Sequence, residues 1–249
     1  MEHITLIKGG FSNCYLINEE DIIILVDVGS SNEVKEIMKL LSDSSYRKGR
    51  PILIISTHFH IDHIAGISYL LCNLPVAEIA FYKKVEDFLT RKEKLSIPSI
   101  MSWFGNLPPV FFRQQRHIPS LIEIQKDDRV GIPLPLLRRK VSLRYEVNQW
   151  LDDEDTIPYT TDWKVISTPG HTTDSICLWC EKDNALISGD TIINMDGKGE
   201  LNLFCCDYLQ EKKSFNRLKS FFNVKNLYPG HGNPIEYKDD LFSGVKIKK

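Results

Sequence analysis

The stretch from Thr57 to His63, which reads THFHIDH, constrains the fold of this chain more than any other. It follows the apolar run at 51–55, which predicts a short buried strand. Three histidines and one aspartate therefore fall within six residues, on the loop that leaves that strand. Imidazole and carboxylate groups are costly to bury without partners, so a set this dense indicates metal ligands rather than packing residues.

The spacing within this stretch supports the same interpretation. His58 and His60 are two positions apart, so their side chains point to one side in extended chain. Asp62 and His63 come where the chain turns into the next predicted helix, which lets them point back towards the same place. The stretch supplies four candidate ligands, and the rest of the site has to come from elsewhere in the chain.

Composition and charge indicate an ordinary globular protein. Of the 249 residues, 42% are hydrophobic and 26% are charged. The formal net charge of −2 argues against electrostatic binding of nucleic acid as the main task. No apolar run approaches the roughly 18 residues that span a bilayer, and the N-terminal residues lack the regions of a signal peptide. We therefore expect a cytoplasmic protein that does not bind membranes.

The six cysteines include one pair with CxxC spacing, Cys177 and Cys180. The segment around this pair predicts a strand, on which residues i and i+3 face opposite sides. A redox pair opens a helix instead. We expect reduced thiols, as in a cytosolic protein.

Periodicity predicts a mixed chain of strands and helices with glycine-rich turns. Strands are predicted at 5–7, 14–17, 22–26, 51–55, 76–82, 163–167, 175–181, 185–188 and 224–228. Helices are predicted at 64–72, 83–94 and 208–222, together with one that follows residue 32 and is capped by Asn32.

Residues 83–147 interrupt this pattern and form a predicted helical, basic insertion. The range 75–150 carries 13 Lys and Arg against 8 Asp and Glu, a balance of +5. The insertion could be a lid packed on the main body, a dimer interface, or a pocket wall for an anionic substrate. Its candidate substrate contacts are Trp103, Phe104, Arg138 and Arg139.

Three further candidate ligands each follow a predicted strand and lie beside glycine. They are His171 in Pro-Gly-His-Thr, Asp190 in Gly-Asp-Thr and His231 in Pro-Gly-His-Gly. Loops held at strand ends are where sites are built, and neighbouring glycine lets the backbone turn sharply. Five of the seven histidines in the chain thus belong to one candidate metal site.

Taken in this order, the motifs resemble those of the metallo-β-lactamase superfamily: His-x-His-x-Asp-His at 58–63, then His171, Asp190 and His231. The resemblance covers about residues 1–240 apart from the insertion. It implies one α+β domain over 1–249, an αβ/βα four-layer sandwich with the metals at one edge.

The resemblance also implies two divalent metal ions. Zinc is the first expectation, and iron or manganese are alternatives, since a set of nitrogen and oxygen donors suits all three metals. His58, His60 and His171 would hold the first metal, Asp62, His63 and His231 the second, and Asp190 would bridge them. A bridging hydroxide would attack the substrate. Asp62 would be catalytic, since it could accept a hydrogen bond from the nucleophile and carry a proton to the leaving group.

Several branches of the superfamily differ from this sequence in a feature that is typical of the branch. The drug-hydrolysing β-lactamases lack the bridging aspartate, and glyoxalase II depends on a helical C-terminal domain, whereas 18 residues follow His231. Flavodiiron proteins carry a flavodoxin domain, for which this sequence has no room. The quorum-quenching lactonases place a tyrosine three residues after the bridging aspartate, where this chain has Ile193. Tyr208 is a candidate substitute and a further candidate substrate contact.

We therefore expect a dinuclear hydrolase of a small ester, thioester or lactone, whose partner is a small-molecule substrate. A homodimer is an open alternative for the oligomeric state. One alternative is a phosphodiesterase or ribonuclease that uses the basic residues of the insertion for phosphates. Another is a mononuclear-iron oxidoreductase of the persulfide-dioxygenase type, which needs only His58, His171 and Asp190. The last alternative is a non-catalytic effector in which the metals only stabilise the structure.

Overall fold

The computed structural model describes residues 3–43, 49–95, 98, 142–195, 197–221 and 223–247. The described residues from 3 to 95 and from 142 to 151 form one compact unit. Those from Asp152 onward, together with Pro98, belong to a second compact unit.

The first unit is built on a six-stranded mixed sheet. Its strands are β1 Ile4–Ile7, β2 Cys14–Asn18, β3 Ile23–Val26, β4 Ile52–Ile55, β5 Glu78–Tyr82 and β6 Gln149–Leu151. They pair in this same order, antiparallel from β1 to β3 and parallel from β3 to β6. Every residue of β3 and β4 is buried, as the unbroken apolar runs of a parallel sheet require.

The described part of the first unit has four helices: α1 Ser31–Ser42, α2 Ile61–Ile64, α3 Ile67–Asn73 and α4 Lys84–Leu89. The prediction that Asn32 caps the first of them is wrong, because Ser30 is the N-cap. The Ser30 hydroxyl accepts from the backbone N–H of Glu33, and the Glu33 carboxylate accepts from the backbone N–H of Ser30. This reciprocal capping box starts the helix at Ser31.

The second unit has a five-stranded sheet and a separate two-stranded hairpin. The strands of the sheet are β7 Trp163–Ser167, β8 Ile176–Cys180, β9 Ala185–Gly189, β12 Asn226–Pro229 and β13 Ile235–Glu236, and they pair in the order β13-β12-β9-β8-β7. The hairpin comprises β10 Ile192–Asn194 and β11 Gly199–Leu201, and the helices are α5 Tyr208–Phe221 and α6 Leu241–Gly244.

Parallel pairing sets where the strand ends meet. In the first unit β3 and β4 are parallel neighbours, so Asp27 and the stretch at 56–63 leave the same edge of the sheet. In the second unit β9 and β12 are parallel neighbours, with Gly189 opposite Pro229. Asp190 and His231 therefore follow adjacent strand ends.

Most predicted elements are present with bounds shifted by a few residues. The predicted helix at 64–72 forms two short helices that begin at Ile61, and the predicted helix at 83–94 spans only Lys84–Leu89. All six cysteines are free thiols. Within the described ranges, no helix is both long and apolar enough to cross a membrane. The candidate substrate contacts of the insertion lie outside these ranges; they are Trp103, Phe104, Arg138 and Arg139.

Glu33 gives a testable prediction about stability. Its buried Oε2 accepts from the backbone N–H groups of Gly29 at 2.8 Å and Ser30 at 2.7 Å. Burial outweighs these hydrogen bonds and raises the pKa of Glu33 from 4.5 to about 8. A carboxyl group with a raised pKa stabilises the fold while it is protonated, and that contribution is lost as the pH rises from 4.5 to about 8.

The Glu33→Gln variant keeps an acceptor for both N–H groups and carries no charge. Relative to this variant, the wild-type free energy of unfolding should fall over that range by up to about 1.4 kcal/mol per pH unit. Urea unfolding at several pH values measures this difference. The control is Glu36→Gln, an exposed position on the same helix that should follow the wild type. Parallel curves for wild type and Glu33→Gln would contradict the prediction.

Candidate metal centre

The predicted ligands of the first unit lie on the loop after β4 and on the short helix α2. His58, His60 and His63 are buried, with at most 3% of their surface exposed. Asp62 keeps 14% of its side chain exposed. Three buried imidazoles on one short segment need polar partners, and the partners in this unit identify which ring atoms are left for a metal.

His58 and His60 present one nitrogen each to the same place. The Nε2 atom of His58 lies 3.0 Å from Nδ1 of His60. On its other side, Nδ1 of His58 lies 3.1 Å from the Thr57 hydroxyl, which itself donates to Asp27 at 2.8 Å. A hydroxyl that donates to a carboxylate can accept from the ring N–H, so Nε2 of His58 keeps its lone pair for a metal.

Asp27 organises this loop from the end of β3. Its carboxylate accepts from the backbone N–H of Thr57 at 2.7 Å and also from the Thr57 hydroxyl. One of its oxygens lies 3.0 Å from Nδ1 of His63. This role of Asp27 was not predicted from the sequence. A carboxylate that directly follows a buried apolar strand was the available signal.

Asp62 is fixed through its backbone. Its carbonyl oxygen accepts from the hydroxyl of Ser12. The same oxygen packs so closely on Gly29 that a Cβ atom there would overlap it. One carboxylate oxygen of Asp62 lies 3.7 Å from Nε2 of His63. The side chains of Asp62 and His63 thus converge, as the sequence predicted for this turn.

The second unit brings its three predicted ligands together around one atom. The Oδ2 atom of Asp190 lies 3.5 Å from Nε2 of His171 and 3.3 Å from Nε2 of His231. All three side chains are buried. The backbone of Gly230 passes so close to Asp190 that a Cβ atom there would overlap the carboxylate. This explains the glycine that precedes His231.

These spacings test whether the residues fit a metal ion. In a tetrahedral sphere with metal–nitrogen bonds of about 2.0–2.1 Å, two ligand atoms lie roughly 3.3 Å apart. The four separations within the two units range from 3.0 to 3.7 Å. The donors are imidazole nitrogens and carboxylate oxygens, which divalent metals of the first transition row accept. The structure therefore contains groups of His and Asp side chains that could bind metal.

Tyr208 is the one predicted substrate contact within the described ranges. It begins α5, is partly exposed, and lies under the Lys212 ammonium, which is 4.7 Å from the ring centroid. Its role as a substrate contact stays a prediction. The aromatic and basic residues of the insertion that were predicted with it fall outside the described ranges.

Known proteins resemble this chain over most of its length. The family model described as "Metallo-beta-lactamase superfamily" matches residues 7–231. The "Beta-lactamase-like protein 2 homolog" of Caenorhabditis elegans is 27% identical over 227 residues, covering 90% of this chain and 57% of that protein. The "Hydroxyacylglutathione hydrolase" of Francisella philomiragia is 33% identical over 218 residues, covering 87% of this chain and 61% of that protein.

The chain thus spans about 60% of the length of these two curated relatives. Among solved structures, the di-iron-bound form of TTHA1623 superposes with a TM-score of 0.56 at 18% identity. That superposition covers 90% of this chain and 89% of the other. At this identity the likeness concerns the fold, and it agrees with the mixed α+β architecture expected from the sequence.

The Asp27 contacts predict an effect on metal affinity. Asparagine tolerates the left-handed backbone found at Asp27, where φ is 61°. Asp27→Asn should therefore keep the turn but lose one acceptor for Thr57 or His63. Zinc affinity should fall about 10- to 100-fold, as for other outer partners of ligating histidines. Competition with a chromophoric chelator measures the affinity, and the exposed Asp21→Asn is the control. An affinity within about twofold of the wild type would refute this role for Asp27.

Proposed function

This chain belongs to the metallo-β-lactamase superfamily, and we propose that it is a dinuclear metal-dependent hydrolase of a small ester, thioester or lactone. The observation that carries the proposal is the position of Asp190. One oxygen of this carboxylate faces a nitrogen of His171 and a nitrogen of His231 at similar distances. A carboxylate oxygen flanked in this way suits a bridge between two metal ions, one held with each histidine.

The proposed ligand sets follow from this bridge. His58 and His60 would complete the sphere that includes His171, and Asp62 and His63 the sphere that includes His231. Support comes from the first unit, where the ring nitrogens of His58 and His60 face each other and Asp62 converges with His63. Asp190 would belong to both spheres.

Metal ions bound here would lower the pKa of water and stabilise negative charge on a reacting oxygen. The residues of the chain would hold the metals in position and transfer the proton. Its buried histidines exclude bulk water from the ligand atoms. Asp62 is the ligand residue whose side chain is partly exposed, so its second oxygen can accept a proton from the nucleophile and pass it to the leaving group.

The acyl substrate class is supported by the relatives. The Francisella philomiragia protein is named a hydroxyacylglutathione hydrolase, a name that denotes hydrolysis of an acyl derivative of glutathione. Because this chain spans 61% of that protein, the substrate itself is not carried over, only the proposed acyl chemistry. Zinc is our first proposal for the metal. Iron is the alternative, since the structural neighbour TTHA1623 is described in a di-iron-bound form.

The two-metal assignment predicts distinct losses in three variants. Asp190→Ala should lose both metals together, because it removes the shared ligand. His171→Ala and His231→Ala should each lose mainly one metal and keep the other. Elemental analysis of protein purified without added metal measures the content per chain. His3→Ala, at a histidine that pairs with Glu19, is the control and should keep a full complement. Full occupancy in all three variants would show that the two-metal assignment is wrong.

The substrate class predicts the outcome of an activity panel. Metal-reconstituted protein should hydrolyse small esters, thioesters or lactones at neutral pH, with kcat/KM measured for each and for phosphodiesters in parallel. The negative control is the Asp190→Ala variant treated with the same metal. Hydrolysis confined to phosphodiesters would replace the acyl proposal with the phosphodiesterase alternative. Oxygen uptake with a single iron per chain would replace it with the oxidoreductase alternative.

A further inference from the structure

The turn that follows β11 lies beside His171 and contacts the ring nitrogen that faces away from Asp190. The Nδ1 atom of His171 lies 2.7 Å from the backbone carbonyl oxygen of Phe204. The same nitrogen lies 3.3 Å from Nδ2 of Asn202. These two contacts demand opposite protonation states of Nδ1, so the chemistry of the partners has to decide between them.

The carbonyl contact decides the protonation state. A carbonyl oxygen can only accept, so an approach of 2.7 Å requires a proton on Nδ1. The amide Nδ2 of Asn202 can only donate and would need a lone pair there, and its distance is 0.6 Å longer, 3.3 against 2.7 Å. The shorter contact has the length of a strong hydrogen bond. His171 is therefore the Nδ1–H tautomer, and Nε2, which faces Asp190, carries the lone pair.

Asn202 holds the carbonyl group in place. Its side-chain oxygen accepts from the backbone N–H of Phe204 at 3.0 Å, which shapes the turn. Its own backbone N–H donates to the carbonyl oxygen of Thr191 at 3.3 Å, next to Asp190 in the chain. Asn202 is 5% exposed, so water is a poor substitute for these contacts.

We infer that Asn202 is a positioning residue for His171. By bonding the Phe204 N–H it holds the Phe204 carbonyl against Nδ1, and this fixes the tautomer and ring orientation that leave Nε2 for a metal. Outer partners of this kind set the tautomer of ligating histidines in general. The inference rests on the proposed function in one respect, because it takes His171 as a metal ligand.

The first experiment reads the tautomer without any metal. Two-bond ¹H–¹⁵N spectra of the metal-free protein distinguish Nδ1–H from Nε2–H imidazole, and a His171→Gln variant assigns the His171 signals. Asn202→Asp keeps an acceptor for the Phe204 N–H and should keep the Nδ1–H form. Asn202→Leu has a similar size and no acceptor, so the Nε2–H population should rise. Asn202→Ala removes the same acceptor without added bulk and carries the same expectation if the leucine variant fails to fold.

The second experiment measures zinc affinity by chelator competition. Asn202→Leu or Asn202→Ala should bind zinc about 10-fold more weakly or worse, and Asn202→Asp should stay close to the wild type. The control is Asn226→Ala in the same unit, where the amide donates to the carbonyl of Asp183 at 2.9 Å. Asn226 lies at the end of β12 opposite to His231, so its loss should change stability and leave zinc affinity unchanged.

The outcomes separate this inference from the proposed function. If the wild type binds neither zinc nor iron, the proposed function fails, while the tautomer spectra still test the role of Asn202. If the wild type binds zinc and all Asn202 variants keep the Nδ1–H form, Asn202 does not position His171. Loss of that form in Asn202→Asp as well would also overturn the inference, because the retained acceptor would then be irrelevant.

Discussion

The energetic cost of removing imidazole and carboxylate groups from water is the constraint on which this structure depends. Each candidate ligand histidine with a described outer partner directs one ring nitrogen to that partner, and its other ring nitrogen is the one proposed to bind a metal. His58 uses the Thr57 hydroxyl, His63 lies against Asp27, and His171 uses the Phe204 carbonyl. These partners are a hydroxyl, a carboxylate and a backbone carbonyl, so one requirement is met by three kinds of chemistry. In each case the partner comes from a strand end or a turn whose own backbone is hydrogen-bonded.

Both units place candidate ligands at the ends of adjacent parallel strands, while His171 follows β7, which pairs antiparallel with β8. Parallel neighbours place their carboxyl ends at one edge, and this edge is where sites form in open sheets. Asp27 and the THFHIDH stretch leave β3 and β4, while Asp190 and His231 follow β9 and β12. The polar residues can therefore be concentrated in loops while the strands stay apolar. Buried runs such as Ile52–Ile55 carry the stability, and the loops carry the chemistry.

The sequence predicted most strands and identified seven candidate ligands because those signals are local. Histidine density, glycine beside a strand end and unbroken apolar runs can all be read from short segments. It did not predict the roles of Asp27 and Asn202, because these residues act on histidines that are 36 and 31 residues away in the chain, a relation that only strand pairing and turn geometry create. The cap assignment failed for a smaller reason. Several polar residues precede α1, and only the reciprocal bond between Ser30 and Glu33 selects among them. The predicted substrate contacts of the insertion remain predictions.

The close packing of Gly29 on Asp62 has a consequence for how such a protein can be diversified. The Gly29 N–H donates to Glu33 at the start of α1, while its Cα lies against the Asp62 carbonyl. One glycine thus ties a helix cap to a predicted metal ligand, and neither can move without the other. Random libraries directed at residues 27–33 should therefore yield mostly inactive clones. Searches for new substrate preference would do better at exposed positions such as Leu209, which is 71% exposed.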